Sequence, residues 1–395
     1  MYKFLPYMTN DYSTGLFDED VNDIYHSAFG ALSEAYEKFV EPLNINELLN
    51  NNDNLRILDI CYGIGYNTKA LLNEICKKNI ASKHICVDCV DTDKTLMELS
   101  PFISSKINFI KKLKYKNLLT KNIKNYFEGN KIVSNNKNVK TGYKISNNIN
   151  FLLVENLMKN WGEDFLSEVS KNIVTKNENS PFFDEGTSNF YKFLAKNGVQ
   201  LHQNKNKLAF VHNIYYRYIS KRYNKHSKQY NFSNINLNFC NSDIRAHLKS
   251  ISDVKYDIIM LDGFTPQKCP CIWSLDFFKC LKDVMTDDAL IVTYNMSAPV
   301  RNAMKLAGLY IGETRNKNSK PIGTIASKNQ NTIKYKINNI SEGLLATKAG
   351  IPYRDNSLSL DNDIIIKNRD DEIKKSDLIS SSKYYKMTQV SSEQQ

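Results

Sequence analysis

Acidic residues at the ends of apolar runs, and one pair of glycines, carry most of the chemistry written in this chain. In "LDICYGIGYN" (Leu58–Asn67), Gly63 and Gly65 stand two apart, with Asp59 before them and Asn67 after. Glycine has no Cβ, so it takes positive φ readily and lets a backbone approach a ligand edge closely. Further on, "HICVDCVDTDKTLMELS" places Asp91 where a carboxylate can accept from both hydroxyls of a ribose. Asp93 competes for that task, but its place ahead of "KTLMEL" suits a helix N-cap better. The apolar run of "INLNFCNSDIRAHLKS" leads to Asp243, and that of "KYDIIMLDGFTP" ends in Asp262. Taken alone, the glycines describe a tight turn as well as a binding loop. The acids decide between the two.

Such residues need a frame to bring them together. Leu55, Ile57, Leu58 and Ile60 read as a buried strand, and "YNTKALLNEICKK" puts Ala70, Leu71, Leu72 and Ile75 on one helical face. A second strand ends near Asp91, a third runs Ile235 to Cys240, and a fourth ends in Asp262. After it come an amphipathic helix in "WSLDFFKCLKDVM", a strand in "DDALIVTYN" and a helix in "SAPVRNAMKLAGL" closed by Gly308. A hairpin of "YIGETRN" and "PIGTIASK" follows. Strand and helix alternate, which predicts an α/β fold with a mainly parallel sheet and an antiparallel end. In such sheets ligands bind beyond the carboxyl ends of the strands. Asp91, Asp243 and Asp262 all fall there, and the glycines are therefore read as binding.

With 395 residues, 42% of them hydrophobic, the chain can bury one large α/β domain with insertions, or two modest ones. The expected organisation is 1–104 for a helical N-terminal segment and the first half of the sheet domain. A Lys/Asn-rich, largely helical insertion (105–233), the second half (234–330) and a C-terminal extension (331–395) follow. No window approaches the roughly 20 apolar residues of a membrane span, and "MYKFLPYMTNDYS" lacks the pattern of a secretory signal. Eight scattered cysteines read as reduced thiols of a cytoplasmic enzyme. Neither Cys86 with Cys89 nor Cys269 with Cys271 reads as a metal site; the first two, three apart on a strand, point to opposite faces. The net charge is +11, crowded into residues 105–145 and 203–228. There tyrosines interleave with Lys205, Lys207, Arg217, Lys221, Arg222, Lys225 and Lys228. Cations neutralise phosphates and rings stack on bases, so Lys221 and Arg222 stand as candidate RNA contacts. A solvated helix face is the alternative.

No phosphate-cradling lysine follows the glycines as in a P-loop, and Thr68 stands where a nicotinamide fingerprint wants a third glycine. A glycine turn with acids after the second and third strands resembles the class I, Rossmann-like methyltransferases that use S-adenosylmethionine. That resemblance gives the ribose to Asp91 and the adenine amino group to Asp243, with Asp59, Gly63, Gly65 and Asn67 completing the cofactor contacts. The stretch "LDGFTPQKCPCIW" narrows it: it resembles the "LDGF-P-K-NP--W" signature of the MnmC/MnmD-like family, the methyltransferases of bacterial tRNA wobble-uridine modification. "YHSAFGALSEAYEKFV", "TYNMSAPVRNAMKLAGL" and "GIPYRD" match in the same order. The resemblance implies methylation of the exocyclic amine of 5-aminomethyl-2-thiouridine to 5-methylaminomethyl-2-thiouridine on tRNA. Bifunctional relatives carry a flavin oxidase domain further along the chain. Too few residues remain beyond Lys328 for one here, so the stand-alone type without flavin is expected. Two departures stand out: Cys61 where relatives usually carry glycine, and Cys269 with Cys271 around Pro270.

Asp262 suits the catalytic place in this reading. An alkylammonium has no lone pair to attack a methyl group; a carboxylate can attract it, orient it and take its proton. A turn cap before Gly263 is the plainer role for the same residue. Phe264 and Trp273 are placed either to stack on the substrate base or to pack, and Glu34 either to line the pocket or to sit on a helix surface. Two rivals remain. A spermidine-synthase-like aminopropyltransferase also alkylates an amine beside a strand-end Asp, but wants clustered carboxylates and an N-terminal β-hairpin domain; the basic balance and the helical N-terminus read here argue against it. A catalytically silent tRNA-binding module would have little use for Asp243 and Asp262.

Overall fold

A computed structural model describes residues 4–18, 21–27, 29–78, 82–105, 142–161, 234–251 and 253–393. Its strands are β1 (Phe4–Met8), β2 (Thr14–Asp18), β3 (Asp23–Tyr25), β4 (Asn54–Ile60), β5 (His84–Asp91), β6 (Ile235–Asn241), β7 (Tyr256–Leu261), β8 (Met285–Thr293), β9 (Tyr310–Arg315) and β10 (Pro321–Ser327). The last seven form one sheet in the order β6-β5-β4-β7-β8-β10-β9. β7 runs parallel to β4 and to β8, with Ile60 opposite Leu261 and Leu261 opposite Thr293. β10 is antiparallel to both β8 and β9. From β4 the chain goes outward to β5 and β6, then returns to the other side of β4 as β7. Strand order therefore reverses between β4 and β7, and a crevice at such a switch point is where open α/β sheets bind ligands.

By their internal contacts the residues group into two interleaved units, Met1–Tyr36 with Gly63–His84 and Asp93–Phe239, and Glu37–Tyr62 with Ile85–Thr92 and Cys240–Gln395. In the first, β1, β2 and β3 form a small antiparallel sheet, and this corrects the helical N-terminus expected from sequence. Its register sets Gly15 opposite Tyr7, whose ring fills the space a Cβ at Gly15 would need. The buried Asp11 ties the turn together: it accepts from Thr9, from Ser13, and from Ser33 at the start of the next helix. Helix Asn147–Trp161, expected from its pattern, protects the edge strand β6. Asn156 Oδ1 accepts from Leu237 N at 3.1 Å, Asn160 Nδ2 donates to Leu237 O at 2.9 Å, and Asn160 Oδ1 accepts from Phe239 N at 3.3 Å. Side-chain amides thus occupy backbone groups that would otherwise template another strand.

The second unit holds a large apolar core. Ile258, Ile259, Met260 and Leu261 are fully buried, as expected of a parallel strand covered on both faces. Helices Leu275–Asp283 and Ala298–Leu306 supply Phe277, Phe278, Leu281, Val300, Ala303 and Met304 to the same core. The second helix stops where Gly308 takes φ 82° and Leu309 N reaches back to Met304 O at 3.1 Å. The segment after 331 packs here too. Leu275 N donates to Tyr353 O, Asp355 N donates to Asp276, and the Arg369 guanidinium lies 4.7 Å from the Tyr353 ring centre. Among the described residues no helix is long and apolar enough to cross a membrane.

Candidate active site

The turn after β4 is wound by three left-handed residues in five. Cys61 has φ 61°, Gly63 φ 54° and Gly65 φ 73°, the last as N-cap of helix Tyr66–Ile75 without a side-chain cap. Glycine adopts this conformation freely, whereas a residue with a Cβ is strained there by roughly 1–2 kcal/mol. Cys61 is thus held in a conformation suited to glycine. What holds it is β5: Cys61 N and Tyr62 N both donate to Val90 O, at 3.0 and 3.1 Å.

Around Cys61 the carboxylates converge. Burial, and then the charges of Asp91, Asp262 and Asp59, push its thiol well above the ordinary range, so it stays protonated. Three acids from the ends of three neighbouring strands, β5, β7 and β4, bear on one sulfur. Asp59 is fully buried within β4. Asp91 is half-buried at the end of β5, and its carbonyl accepts from Ser242 N at 3.0 Å and Asn241 Nδ2 at 3.2 Å. Asp262 is half-buried one residue past β7, its N–H donating to Ile60 O at 3.3 Å. Asp93 is the N-cap that its position predicted, accepting from Thr95 N and Leu96 N.

Asp243 is engaged differently. It caps helix Ile244–Ser250 through Arg245 N at 2.8 Å, and the Arg245 guanidinium grips both carboxylate oxygens, the shortest contact being 2.7 Å. The same guanidinium donates to the fully buried Asp355 at 2.7 Å. Burial pushes the Asp243 carboxyl up, but the hydrogen bonds and charge of Arg245, with Lys249, outweigh it and hold the group below the usual carboxylate range. Any adenine amino group meeting Asp243 must share oxygens already engaged by Arg245. Sequence spacing did not single out Arg245; an arginine two residues after a strand-end acid was the available signal.

The loop from Gly263 to Trp273 follows Asp262. A Cβ on Gly263 would meet Ile272 Cδ1 at 2.1 Å, so a larger residue beside Asp262 requires the Ile272 side chain to shift. Tyr294, one residue past β8, donates its hydroxyl to Gly263 O at 2.9 Å, and Lys38 Nζ lies 5.7 Å from its ring centre. Both residues escaped the sequence reading, although Tyr294 also sits at a strand's carboxyl end. Of the two roles read for it, Trp273 displays packing. It is fully buried, donates Nε1–H to Phe264 O at 2.8 Å and packs edge-on against Tyr294. With no accessible face, it shapes the loop. Phe264 is half-buried. Cys269 and Cys271 approach to 3.5 Å between sulfurs, and among the described residues no three His, Cys, Asp or Glu side chains group as a metal site. Glu34 accepts from Ser27 N at 2.7 Å. Lys221 and Arg222 lie outside the described residues.

Fold and comparison agree on the class. Residues 205–329 match the S-adenosyl-L-methionine-dependent methyltransferase family Methyltransf_30, and the sheet is that of a Rossmann-like class I methyltransferase using S-adenosylmethionine. More narrowly, the chain is similar to MnmC/MnmD-like methyltransferases. Two bifunctional MnmC proteins of tRNA 5-methylaminomethyl-2-thiouridine biosynthesis are similar over short stretches. One, from an Azoarcus species, is 34% identical over 59 residues, 15% of this chain and 9% of the relative. The other, from Burkholderia vietnamiensis, is 42% identical over 52 residues, 13% of this chain and 8% of the relative. An uncharacterized protein of Methanocaldococcus jannaschii is 25% identical over 97% of this chain and 76% of its own. The crystal structure of MnmC2 from Aquifex aeolicus shares the fold at a TM-score of 0.56 and 18% identity, over 95% of this chain and 87% of that one.

Proposed function

We propose that this methyltransferase N-methylates the aminomethyl group of 5-aminomethyl-2-thiouridine at the tRNA wobble position, giving 5-methylaminomethyl-2-thiouridine. The observation that carries the reading is the position of Asp262. It is the second residue of the "LDGFTPQKCPCIW" stretch, at the switch point of the sheet, and its charge bears on Cys61 together with those of Asp91 and Asp59. The cofactor fits the residues present. Asp91 at the end of β5 is a two-oxygen acceptor for ribose hydroxyls, and Gly63, Gly65 and Asn67 belong to the turn and helix start that continue β4. Bound S-adenosylmethionine supplies a methyl group activated by a sulfonium. The protein's own task falls on the amine: the Asp262 carboxylate attracts the substrate ammonium, aims its nitrogen and accepts the proton that must leave before a lone pair exists. Phe264 offers the remaining aromatic edge near that acid.

The aminopropyltransferase alternative regains one of its requirements from the small N-terminal sheet and another from the gathered carboxylates. The methyltransferase family match and the motif weigh against it. A silent RNA-binding module would leave the acids without a task. The test is to incubate the protein with S-adenosylmethionine and tRNA from cells lacking it, then measure wobble nucleosides by mass spectrometry. Conversion of 5-aminomethyl-2-thiouridine to its methylated form is expected. Unmodified nucleosides, or transfer of an aminopropyl group from decarboxylated S-adenosylmethionine to a polyamine, would overturn the reading.

A further inference from the structure

Cationic side chains follow one another along the antiparallel end of the sheet without a counter-charge in sequence. From Thr314 to Ser341 the chain has Arg315, Lys317, Lys320, Lys328, Lys334 and Lys336, and neither Asp nor Glu. The strand registers say where this stretch lies. Leu261 of β7 pairs with Thr293 of β8, Thr293 with Thr324 of β10, and Thr324 with Glu313 of β9. These four residues form a row across the sheet, one step short of Asp262. β9 runs in the direction of β7, so Arg315 and the turn to Lys320 project from the same edge of the sheet as Asp262. Three strand spacings, about 14 Å, separate β9 from β7 along that edge.

The outer side of β9 presents an aromatic ring on a fixed backbone. Tyr335 O accepts from Glu313 N at 2.9 Å, and Lys336 bridges to Gly312. Its ring is exposed, with the Arg315 guanidinium 4.9 Å and Lys334 Nζ 5.1 Å from the ring centre. Arg315 also holds the buried Glu313 carboxylate, at 2.8 Å through Nε, which fixes the guanidinium beside the ring. Lys317 is paired with Glu41 at 3.2 Å, while Lys320 and Lys334 are exposed. A solvated face needs charge but has no use for an exposed, immobilised ring among cations. Single-stranded RNA uses both, because phosphates take the cations and unpaired bases stack on the ring.

We propose that the rim of Arg315, Lys320, Lys334 and Tyr335 docks the single-stranded RNA loop that carries the target nucleotide, flanking nucleotides stacking on Tyr335 while the target base reaches Asp262. This rests on the tRNA reading above. The test compares wild type with a triple variant, Lys320→Gln, Lys334→Gln and Tyr335→Ala, leaving Arg315 on Glu313. Affinity for tRNA should fall roughly tenfold or more, because a stacking ring and two cations are gone. The slope of log affinity against log salt should flatten by up to about 1.4, some 0.7 for each lysine that no longer meets a phosphate. Affinity for S-adenosylmethionine and Tm should not change. As a second measurement, photo-crosslinking wild type to tRNA with 4-thiouridine in the anticodon loop should mark peptides within 314–336. Unchanged tRNA affinity and salt slope, or crosslinks confined to other peptides, overturn the rim while leaving a tRNA-methylating wild type intact. A wild type that neither binds nor methylates tRNA overturns the rim together with the reading beneath it.

Discussion

In the proposed reaction Asp262 is the residue on which the chemistry turns, and charge is what an isosteric change removes. Asp262→Asn keeps the shape beside Gly263 but loses the group that holds and deprotonates an ammonium. Turnover should fall ~10²–10⁴-fold, the usual range of a general base, with S-adenosylmethionine affinity nearly intact. Raising the pH should recover part of the loss, because more substrate amine is then neutral without help. A pH–rate profile of the two proteins checks this, and equal activity at neutral pH would remove Asp262 from the base role. Asp91→Ala should weaken S-adenosylmethionine binding by about 1–3 kcal/mol, the scale of hydrogen bonds to a charged acceptor, by calorimetric titration. Cys61 separates strain from side-chain chemistry. With φ at 61°, Cys61→Ala keeps a Cβ in the left-handed region whereas Cys61→Gly removes it. The glycine variant should be the more stable of the two by about 1 kcal/mol in urea unfolding. The acids were legible because a buried apolar run that ends in Asp marks a strand end. Partners were not: that Arg245 occupies Asp243, or that Trp273 turns inward to Phe264 O, depends on side chains meeting across the fold.

At the scale of elements, the positions of the strands and helices around the site follow from period and punctuation. β4, β5, β7 and β8 are rich in apolar residues, interrupted by Arg56, Asp59, Asp88, Asp257, Asp287 and Asp288, and Gly308 closes its helix where the pattern stops. The N-terminal sheet was missed for a physical reason. In "FLPYM" and "TGLFD" the strands are five residues long, broken by Pro6 and Gly15, and steadied by the distant Asp11 and Ser33 pairing, which has no local signature. The C-terminal segment is likewise fixed by a tertiary contact, the Arg245 clamp joining helix Ile244–Ser250 to Asp355. Asp355 also accepts from Ser359 N and Leu360 N, so removing the cation leaves a buried carboxylate with only backbone donors. Arg245→Leu should therefore destabilise the fold by ~3 kcal/mol, as when one partner of a buried pair is deleted. Urea unfolding with an unchanged midpoint would show that the clamp contributes nothing. Asp243→Asn leaves the Asp355 contact in place and should be much milder.

Over the whole molecule the distribution of charge matters more than its total of +11. Besides the basic residues of 105–145, two cationic stretches stand out: the rim from Arg315 to Lys336, and the tyrosine-rich run holding Lys221, Arg222, Lys225 and Lys228, outside the described residues. A tRNA is far larger than one active-site crevice, so a tRNA-modifying enzyme needs phosphate contacts away from the reacting base. The sequence showed the tyrosine-rich run because composition alone reveals it. It hid the rim, whose residues become neighbours of the site only through the antiparallel turn of β9 and β10. The two stretches can be told apart by salt. Each phosphate contact releases condensed counterions, and log affinity falls with log salt by about 0.7–0.9 per contact. Replacing Lys221, Arg222, Lys225 and Lys228 with Gln should flatten the slope by up to about four such increments if each meets a phosphate. S-adenosylmethionine affinity should stay constant, and combination with the rim variant should add, since independent contacts contribute independently. Titration of tRNA at several salt concentrations measures all of these together. A slope that stays at the wild-type value after the four changes would make that run a solvated face and turn the search for phosphate contacts to the rim and to residues 105–145.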